Sequence, residues 1–542
     1  MRRAIYSPRH ADPRPPRPAE MVVLDGTLKR RVELSHTRLF ILGAVFAIAF
    51  AVVGLRVVDV TVMGEGREPP LADARGPHLQ VSRADIVDRN GVLLATSLRT
   101  GSLYAHPQQI LDPQEAASEL AQTLPDLDRD EVLAKLTSGA RFVWIKRSLT
   151  PREQYAVHRL GIPGLYFQKE DRRVYPQGSL AAHVVGFTDI DGKGLAGIEE
   201  SFDQVLAGGT EPVQLSLDLR IQNIVREELA RAIADFSAIG GAGIVLDSRT
   251  GEILALVSLP DFDPNDPGSA PGDARFNRAT LGVYEMGSTF KIFNTALALD
   301  SGVATLASSY DARKPIRIGR YLISDFHPER RFLTVPEIFT YSSNIGAAKM
   351  SLDIGPDLQQ HFMKKLGMLR PMDIELPEVG QPLYPSPWRI VNMMTIAYGH
   401  GIAVTPLHLV SGVAAVIDGG VMRTPTLLKR DPHATPPGER IVSETTSAEM
   451  RELMRLVVQS GTGKFANVPG YDVGGKTGTA EKLSGRHYVQ NARMAAFVGA
   501  FPMTAPRYVI LVMVDEPKPN KSSYGYATGG WVAAPAVGRI VE

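Results

Sequence analysis

The sequence of 542 residues contains no cysteine. Disulfides, thiolate metal sites and cysteine nucleophiles are therefore excluded. Net charge is also nearly absent, because 59 lysines and arginines are balanced by 58 acidic residues to give +1. A balance this close to neutral gives no reason to expect nucleic acid as a partner. The 12 histidines include no H-E-x-x-H motif, so the sequence predicts no catalytic metal.

One segment near the N-terminus is apolar enough to enter a membrane. The run LFILGAVFAIAFAVVGL, from Leu39 to Leu55, is uncharged and long enough to cross a bilayer. The 38 residues before it carry nine lysines and arginines against four acids, which favours a cytoplasmic N-terminus and places the residues after 60 outside the cytoplasm. A cleaved signal peptide is the competing interpretation, but the run exceeds a signal h-region and no clear small-residue cleavage site follows it.

The remaining chain has the composition of a folded protein, and its length favours two or three folded units. The pair Asn90-Gly91 between apolar runs predicts a β-hairpin, and PQEAASELAQTL predicts a helix. After residue 211 a helical pattern precedes the strand-like runs GAGIVLD, EILALVSL and, near the end, YVILVMVDEP. The predicted segments are a cytoplasmic tail (1–38), a transmembrane signal anchor (39–60), an α+β domain (61–210) and a mixed α/β domain (211–542).

The stretch YEMGSTFKIF places Ser288 three residues before Lys291, where a loop is predicted to become a helix. One interpretation of Ser288 is a helix N-cap alone, since about 0.9 S-x-x-K pairs are expected by chance. The functional interpretation is that Lys291, one helical turn away, removes the proton of the serine hydroxyl. A lysine can be this base only if burial or nearby positive charge favours its neutral form.

Two further short motifs follow in the chain. Ser342-Ser343-Asn344 forms an S-x-N motif, whose structural interpretation is a serine cap before the helix NIGAAKMSL. Lys476-Thr477-Gly478 forms a K-T-G motif, whose structural interpretation is a glycine-rich turn. The three chance expectations multiply to roughly 0.1, and the fixed order divides that by about six. Coincidence is therefore a poor explanation for the trio.

The ordered trio resembles the signature of active-site serine penicillin-binding proteins and serine β-lactamases. The similarity extends to SRADIVDRNGVLLA, RRVYPQGSLAAHVVGFTDIDGKGLAGIEESFD and YGHGIAVTPLHL, and thus covers nearly everything after residue 38. The first tract departs from the family pattern, with alanine where glycine commonly follows the arginine. The chain is identified as a member of the class B penicillin-binding proteins, and it is most similar to the division-specific peptidoglycan D,D-transpeptidases.

The resemblance implies a mixed α/β penicillin-binding transpeptidase domain with a central antiparallel sheet flanked by helices. An α+β pedestal of the dimerisation type and one N-terminal transmembrane helix precede it. The implied reaction cross-links stem peptides through a serine acyl-enzyme, with β-lactams as inhibitors and no metal or organic cofactor. The implied catalytic residues are Ser288, Lys291, Ser342, Asn344 and Lys476, and the implied substrate-binding residues are Thr477, Gly478 and Thr479.

The resemblance also implies a role for each group. Ser288 attacks the D-Ala-D-Ala bond with Lys291 as its base, and the backbone N–H groups of Ser288 and Thr479 form the oxyanion hole. Ser342 relays a proton to the leaving amine, and Asn344 holds Lys291 and the donor amide. Lys476 supplies positive potential, while the hydroxyls of two threonines, Thr477 and Thr479, bind the terminal carboxylate.

The implied location is the division septum, in the bacterial cytoplasmic membrane, with the catalytic domain in the periplasm. The implied partners are a polytopic glycan polymerase and other division proteins. A β-lactamase or D,D-carboxypeptidase would use the same trio but pass the acyl group to water. The motifs also leave open an elongation-type transpeptidase and a non-catalytic division scaffold.

Overall fold

The computed structural model describes residues 43–54, 82–319, 321–431, 433, 438–484 and 487–542. The chain divides into two compact units, Met1–Gln80 and Val81–Glu542. In the first unit, residues 43–54 form a helix, α1. The predicted cytoplasmic tail and the rest of the predicted membrane anchor lie outside the described residues. Within the described ranges, no helix has both the length and the apolar character needed to cross a membrane.

The second unit begins with an α+β region. Strand β1 (Ile86–Val87) and strand β2 (Leu93–Ala105) form the predicted hairpin, with Gly91 at a φ of 84°. Strand β2 pairs with β3 (Val143–Leu149) and β4 (Leu165–Val174), and β1 pairs in parallel with β5 (Val213–Gln214). The helices of this region are α2 (Pro113–Thr123), α3 (Arg129–Leu136), α4 (Pro151–His158), α5 (Ala182–Val185), α6 (Gly197–Ser201) and α7 (Asp203–Gly208).

Helix α2 illustrates why these elements form. Asp112 caps it by accepting hydrogen bonds from the backbone N–H groups of Gln114 and Glu115, and Pro113 occupies its first turn. Its apolar face contributes Leu120 to a buried cluster with Leu103 of β2. This packing of helices on one face of a small sheet matches the predicted α+β character.

The C-terminal region is built on one antiparallel sheet of five strands, which are β6 (Gly240–Asp247), β7 (Ile253–Leu259), β14 (Gly474–Ser484), β15 (His487–Phe501) and β16 (Tyr508–Asp515). Their order in the sheet is β14-β15-β16-β6-β7. Residues of β6, β7, β15 and β16 enter two different cores, because helices cover both faces of the sheet. On β6, Ile244 joins one core and Val245 the other.

Helices flank this sheet, in agreement with the predicted mixed α/β class. They are α8 (Leu219–Asp235), α9 (Lys291–Asp300), α10 (Val335–Thr340), α11 (Asn344–Ile354), α12 (Pro356–Lys365), α13 (Ile390–Ile396), α14 (Pro406–Ile417), α15 (Glu444–Ser460) and α16 (Gly529–Val541). Six short strands complete the region: β8 (Ser309–Asp311), β9 (Ile316–Ile318), β10 (Tyr321–Ile323), β11 (Phe332–Thr334), β12 (Val421–Met422) and β13 (Glu439–Arg440).

The apolar core is continuous across the predicted boundary near residue 210. Ile86 and Leu94 from the α+β region belong to the same buried cluster as Phe293 and Leu409 of the C-terminal region. Backbone hydrogen bonds also cross, for example from the N–H of Arg89 to the carbonyl of Leu217. The two regions therefore pack as one body within the second unit.

Candidate active site

Ser288 lies in a short 3-10 turn, Gly287–Phe290, that leads into α9. The N-cap residue of α9 is Phe290, and no side chain caps that helix, so the N-cap interpretation of Ser288 is wrong. Gly287 has a φ of 53°, and a Cβ atom there would lie 2.5 Å from the carbonyl oxygen of Thr479. Glycine is needed at this position for both reasons.

The Lys291 ammonium nitrogen is the centre of a hydrogen-bonded cluster. It lies 2.8 Å from the Ser288 hydroxyl oxygen, 3.3 Å from that of Ser342 and 2.7 Å from Oδ1 of Asn344. Its side chain is almost fully buried, with 1% exposure, whereas Ser288 is partly exposed. The lysine is therefore positioned to exchange a proton with a serine that an external molecule can reach.

The S-x-N motif occupies the connection between α10 and α11. Ser343 caps α11 by accepting a hydrogen bond from the N–H of Gly346, so the predicted cap in this motif is the second serine. Ser342 instead adopts a left-handed conformation with a φ of 63°, which is costly for serine and is typical of functional sites. This conformation accompanies the approach of its hydroxyl to both lysines of the site.

A preceding segment fixes Asn344 and Ser343. Asp325 accepts hydrogen bonds from the Ser343 hydroxyl at 2.7 Å and from the N–H of Ile345 at 2.9 Å. The amide nitrogen of Asn344 donates to the carbonyl of Ser324 at 3.0 Å. Because that donor is occupied, Oδ1 of Asn344 faces Lys291 in a defined orientation.

The K-T-G motif lies within strand β14, so the interpretation as a glycine-rich turn is wrong. Lys476 pairs with Val498 of β15, and its ammonium nitrogen donates to the Ser342 hydroxyl at 2.9 Å. A Cβ atom on Gly478 would lie 2.6 Å from the carbonyl oxygen of Met286. Glycine at 478 thus lets the strand approach the turn that carries the nucleophile.

The two threonines of this strand are held by neighbouring elements. The Thr477 hydroxyl lies 2.7 Å from the hydroxyl of Thr462, which follows α15. The Thr479 hydroxyl accepts a hydrogen bond from the N–H of Gly529, the first residue of α16, at 3.1 Å. The hydroxyls at the K-T-G strand are therefore oriented by contacts from outside the motif.

Burial governs the charge of both lysines. It lowers the pKa of Lys291 well below its usual value, and the positive charge of Lys476 lowers it further, against a smaller opposing effect of Asp325. Burial also lowers the pKa of Lys476 to about 7. Among the residues that the structure describes, no carboxylate is hydrogen-bonded to either ammonium nitrogen. These effects favour the neutral form of the Lys291 amine, which is the form that can accept a proton.

All five residues predicted to be catalytic thus meet at one place, and the predicted substrate-binding residues lie on the adjoining strand. Sequence analysis did not identify Asp325, Thr462 or Gly529, because each belongs to a different segment and none forms a spaced motif with the residue it contacts. Over the described part of the chain, no group of three or more histidine or acidic side chains is arranged to hold a metal.

Two family models match the chain. The penicillin-binding protein transpeptidase domain matches residues 241–542, and the penicillin-binding protein dimerisation domain matches residues 78–232. The first match covers more than half of the sequence and contains every residue of the site.

Known proteins are similar over most of their length. A probable peptidoglycan D,D-transpeptidase FtsI of Caulobacter vibrioides is 43% identical over 474 residues, which are 85% of this chain and 80% of that protein. Peptidoglycan D,D-transpeptidase FtsI of Escherichia coli K12 is 29% identical over 88% of this chain and 85% of that protein. The crystal structure of penicillin-binding protein 3 from Mycobacterium tuberculosis complexed with aztreonam has a TM-score of 0.67 and 27% identity, over 85% and 94% of the two chains. The chain belongs to the penicillin-binding protein transpeptidase family and is a class B member of it.

Proposed function

We propose that this chain is a serine-type peptidoglycan D,D-transpeptidase of the cell-division type and a target of β-lactams. The observation that carries the proposal is the cluster in which Lys291 lies 2.8 Å from the Ser288 hydroxyl, with Ser342 joining it to Lys476. A serine activated by a neutral lysine in a buried site is suited to acyl transfer. The names of the similar D,D-transpeptidases supply the substrate class, which is peptidoglycan.

Acylation begins when the Ser288 oxygen attacks the carbonyl of the D-Ala-D-Ala bond. The hydroxyl proton passes to neutral Lys291, and the carbonyl oxygen becomes an oxyanion. The backbone N–H groups of Ser288 and Thr479 stabilise that charge, an effect worth roughly 3 to 4 kcal/mol per donor. The close approach of the Thr479 backbone to Gly287 supports this assignment.

The tetrahedral intermediate then collapses as the carbon–nitrogen bond breaks. Ser342, hydrogen-bonded to both lysines, relays the proton from Lys291 to the leaving D-alanine amine. An amine of a second stem peptide attacks the resulting ester, loses its proton to the same relay, and regenerates Ser288. A β-lactam acylates the same oxygen, but its leaving group stays tethered and blocks the acceptor.

The K-T-G strand binds the terminal carboxylate of the donor peptide. Lys476 supplies positive potential, and the hydroxyls of Thr477 and Thr479 donate hydrogen bonds. Gly478 has no side chain, so the strand can pack closely against the turn that carries Ser288. The contacts of these hydroxyls with Thr462 and with the N–H of Gly529 support the assignment, since they restrict the orientations available.

The proposed topology is a single-pass protein of the bacterial cytoplasmic membrane. Residues 1–38 are cytoplasmic, 39–60 form the anchor, 61–210 form the non-catalytic pedestal and 211–542 form the periplasmic transpeptidase domain. The uncharged run after residue 38 and the excess of basic residues before it support this proposal. The pedestal and anchor contact a polytopic glycan polymerase and other division proteins at the septum.

Labelling with penicillin tests the catalytic proposal. The purified chain is incubated with benzylpenicillin, digested and mapped by mass spectrometry, and the added mass is expected on the peptide that contains Ser288. Ser288→Ala should lose the adduct. Ser301→Ala is the matched control, because Ser301 ends the same helix and donates only to backbone carbonyls. An adduct on another residue, or labelling of Ser288→Ala equal to that of the unchanged chain, would refute the mechanism.

A further inference from the structure

A cavity of about 240 Å³ lies between the end of α8, the segment that precedes α16 and α16 itself. This volume is below the range of about 300 to 1,000 Å³ that holds drug-sized molecules, so the cavity suits a ligand of about one ring. Its lining combines aromatic and polar side chains. They include Phe236, Phe465, Trp531, Asp235, Ser522 and Arg539.

The ring of Trp531 is the centre of an aromatic cluster that extends beyond the cavity. Its centroid lies 4.8 Å from that of Phe465, 5.6 Å from that of Tyr524 and 6.1 Å from that of Tyr526. Tyr524 is 80% exposed and Phe465 is 41% exposed. Rings that are clustered and exposed in this way are typical of a surface that binds a ligand with an apolar side.

Two charged side chains of the lining have hydrogen-bonding groups available. Asp235 is the last residue of α8 and is exposed, and its backbone carbonyl, not its carboxylate, accepts the hydrogen bond of Asn520. The Nε atom of Arg539 donates to Glu228, while its two terminal nitrogens have no hydrogen-bond partner among the residues that the structure describes. A ligand with groups that both donate and accept hydrogen bonds would satisfy the carboxylate and the guanidinium together.

A sugar ring has this combination of properties. One face of a pyranose presents C–H groups, which pack on the negative face of an aromatic ring, and its edge carries hydroxyl groups. An acetamido substituent adds a methyl group for the aromatic side chains and an amide for the polar ones.

We propose that this cavity binds one N-acetylhexosamine ring of a peptidoglycan glycan strand. The apolar face of the sugar packs on Trp531, and its polar groups bind Asp235 and Arg539. Neighbouring sugars of the strand lie on Tyr524 and Tyr526. The inference rests on the proposed function for the identity of the glycan, and it extends that function to the part of the substrate that carries the stem peptides.

The cavity lies beside the K-T-G strand. Trp531 follows Gly529 by two residues, about 3 Å along the axis of α16, and the N–H of Gly529 donates to the Thr479 hydroxyl. Phe465 follows Thr462, whose hydroxyl contacts the other threonine of the strand, by three residues. A glycan strand held in the cavity is therefore kept close to the strand that binds its stem peptides.

Titration of the full chain with an oligosaccharide tests the inference. The chain is placed in lipid nanodiscs, which avoid sugar-based detergents, and isothermal titration calorimetry measures the affinity for chitotriose, a β-1,4-linked trimer of N-acetylglucosamine. Chitotriose should bind about tenfold more tightly than the monomer, because Tyr524 and Tyr526 contact the added rings. Maltotriose has no acetamido group and should bind at least about tenfold more weakly than chitotriose.

Two variants locate the binding site. Trp531→Ala should weaken the binding of chitotriose by about tenfold or more, because the apolar face of the sugar loses its partner. Asp235→Asn should weaken it about tenfold by removing a charged acceptor at an exposed position, where the fold does not depend on the carboxylate. Trp144→Ala is the matched control, because Trp144 also contacts an exposed ring, that of Phe142 at 5.0 Å, but in the α+β region. This control should leave the affinity unchanged.

An affinity that Trp531→Ala and Asp235→Asn both leave unchanged, a loss confined to Trp144→Ala, or equal binding of maltotriose would overturn the inference. Penicillin labelling of the same preparation separates the two proposals. Labelling of Ser288 without binding of chitotriose would overturn this inference and leave the proposed function standing. Binding of chitotriose without labelling of Ser288 would instead overturn the proposed function and leave the saccharide site standing.

Discussion

Replacing each active-site lysine by arginine should separate the base from the cation. Arginine keeps a positive charge at any accessible pH and cannot accept a proton. Lys291→Arg therefore removes the potential base, the amine that lies 2.8 Å from the Ser288 hydroxyl. Lys476→Arg keeps the charge next to Ser342 and changes only its shape.

The magnitudes follow from these contacts. A positioned general base contributes about 10²- to 10⁴-fold, so Lys291→Arg should slow penicillin acylation by about 10³-fold or more. Its permanent charge also lies beside Lys476 in a pocket where the described residues supply no hydrogen-bonded carboxylate. Lys476→Arg distorts one hydrogen bond in a fully buried site. The rate of acylation is therefore expected to fall about tenfold, which is equivalent to roughly 1.4 kcal/mol.

Stopped-flow fluorescence with a labelled penicillin measures both rates, and thermal unfolding of each variant shows that it is folded. Equal losses in the two variants would refute the division of roles. Full activity in Lys291→Arg would show that another group takes the serine proton. Neither result would depend on the substrate that the enzyme uses in the cell.

Three further outcomes are expected. The acylation rate should depend on pH with a bell shape: it should fall at low pH as Lys291 gains a proton, and fall above about pH 7 as Lys476 loses its proton. In the same stopped-flow assay, Lys476→Arg should remove the fall at alkaline pH. Gly287→Ala should slow acylation by about 100-fold or more, because its new methyl group would lie 2.5 Å from the Thr479 carbonyl; a rate within twofold of the unchanged chain would contradict this. Burial lowers the pKa of His183 from 6.5 to about 4. Between these two pH values the unfolded chain binds a proton at His183 that the folded chain does not bind. The free energy of unfolding should therefore fall by up to about 3 kcal/mol as the pH falls from 6.5 to about 4. Urea titrations should give a smaller fall for His183→Gln.

The catalytic motifs were predictable because each is a short pattern with its own chemistry. Ser288 and Lys291 are close in the chain, and a single helical turn brings them together. The sheet was also predictable in part, since the strand-like run at β6 is apolar up to its last residue, Asp247, as expected for a strand covered on both faces. These features depend on residues that are close together in the chain, so the sequence alone is enough to predict them.

The environment of the motifs was not predictable in the same way. The glycines of GGKTGTAEK suggested a turn, but pairing with β15 along the strand overrides their low strand propensity. Asp325 and Thr462 reach the site only through the tertiary packing of their segments. The charge of the two lysines depends on those contacts and on burial, so it cannot be predicted from the spacing of the motifs in the sequence.

The order of strands in the central sheet has a consequence for how the protein is made. Strand β6 pairs on one side with β7, its neighbour in the chain, and on the other with β16, which follows some 260 residues later. At about 5 to 20 residues per second, a ribosome needs on the order of 10 to 50 s to add that stretch. During this interval the apolar edge of β6 has no partner strand, and such an edge can pair with other chains. The nascent protein is therefore expected to depend on chaperones before β16 emerges, and to bind penicillin only afterwards.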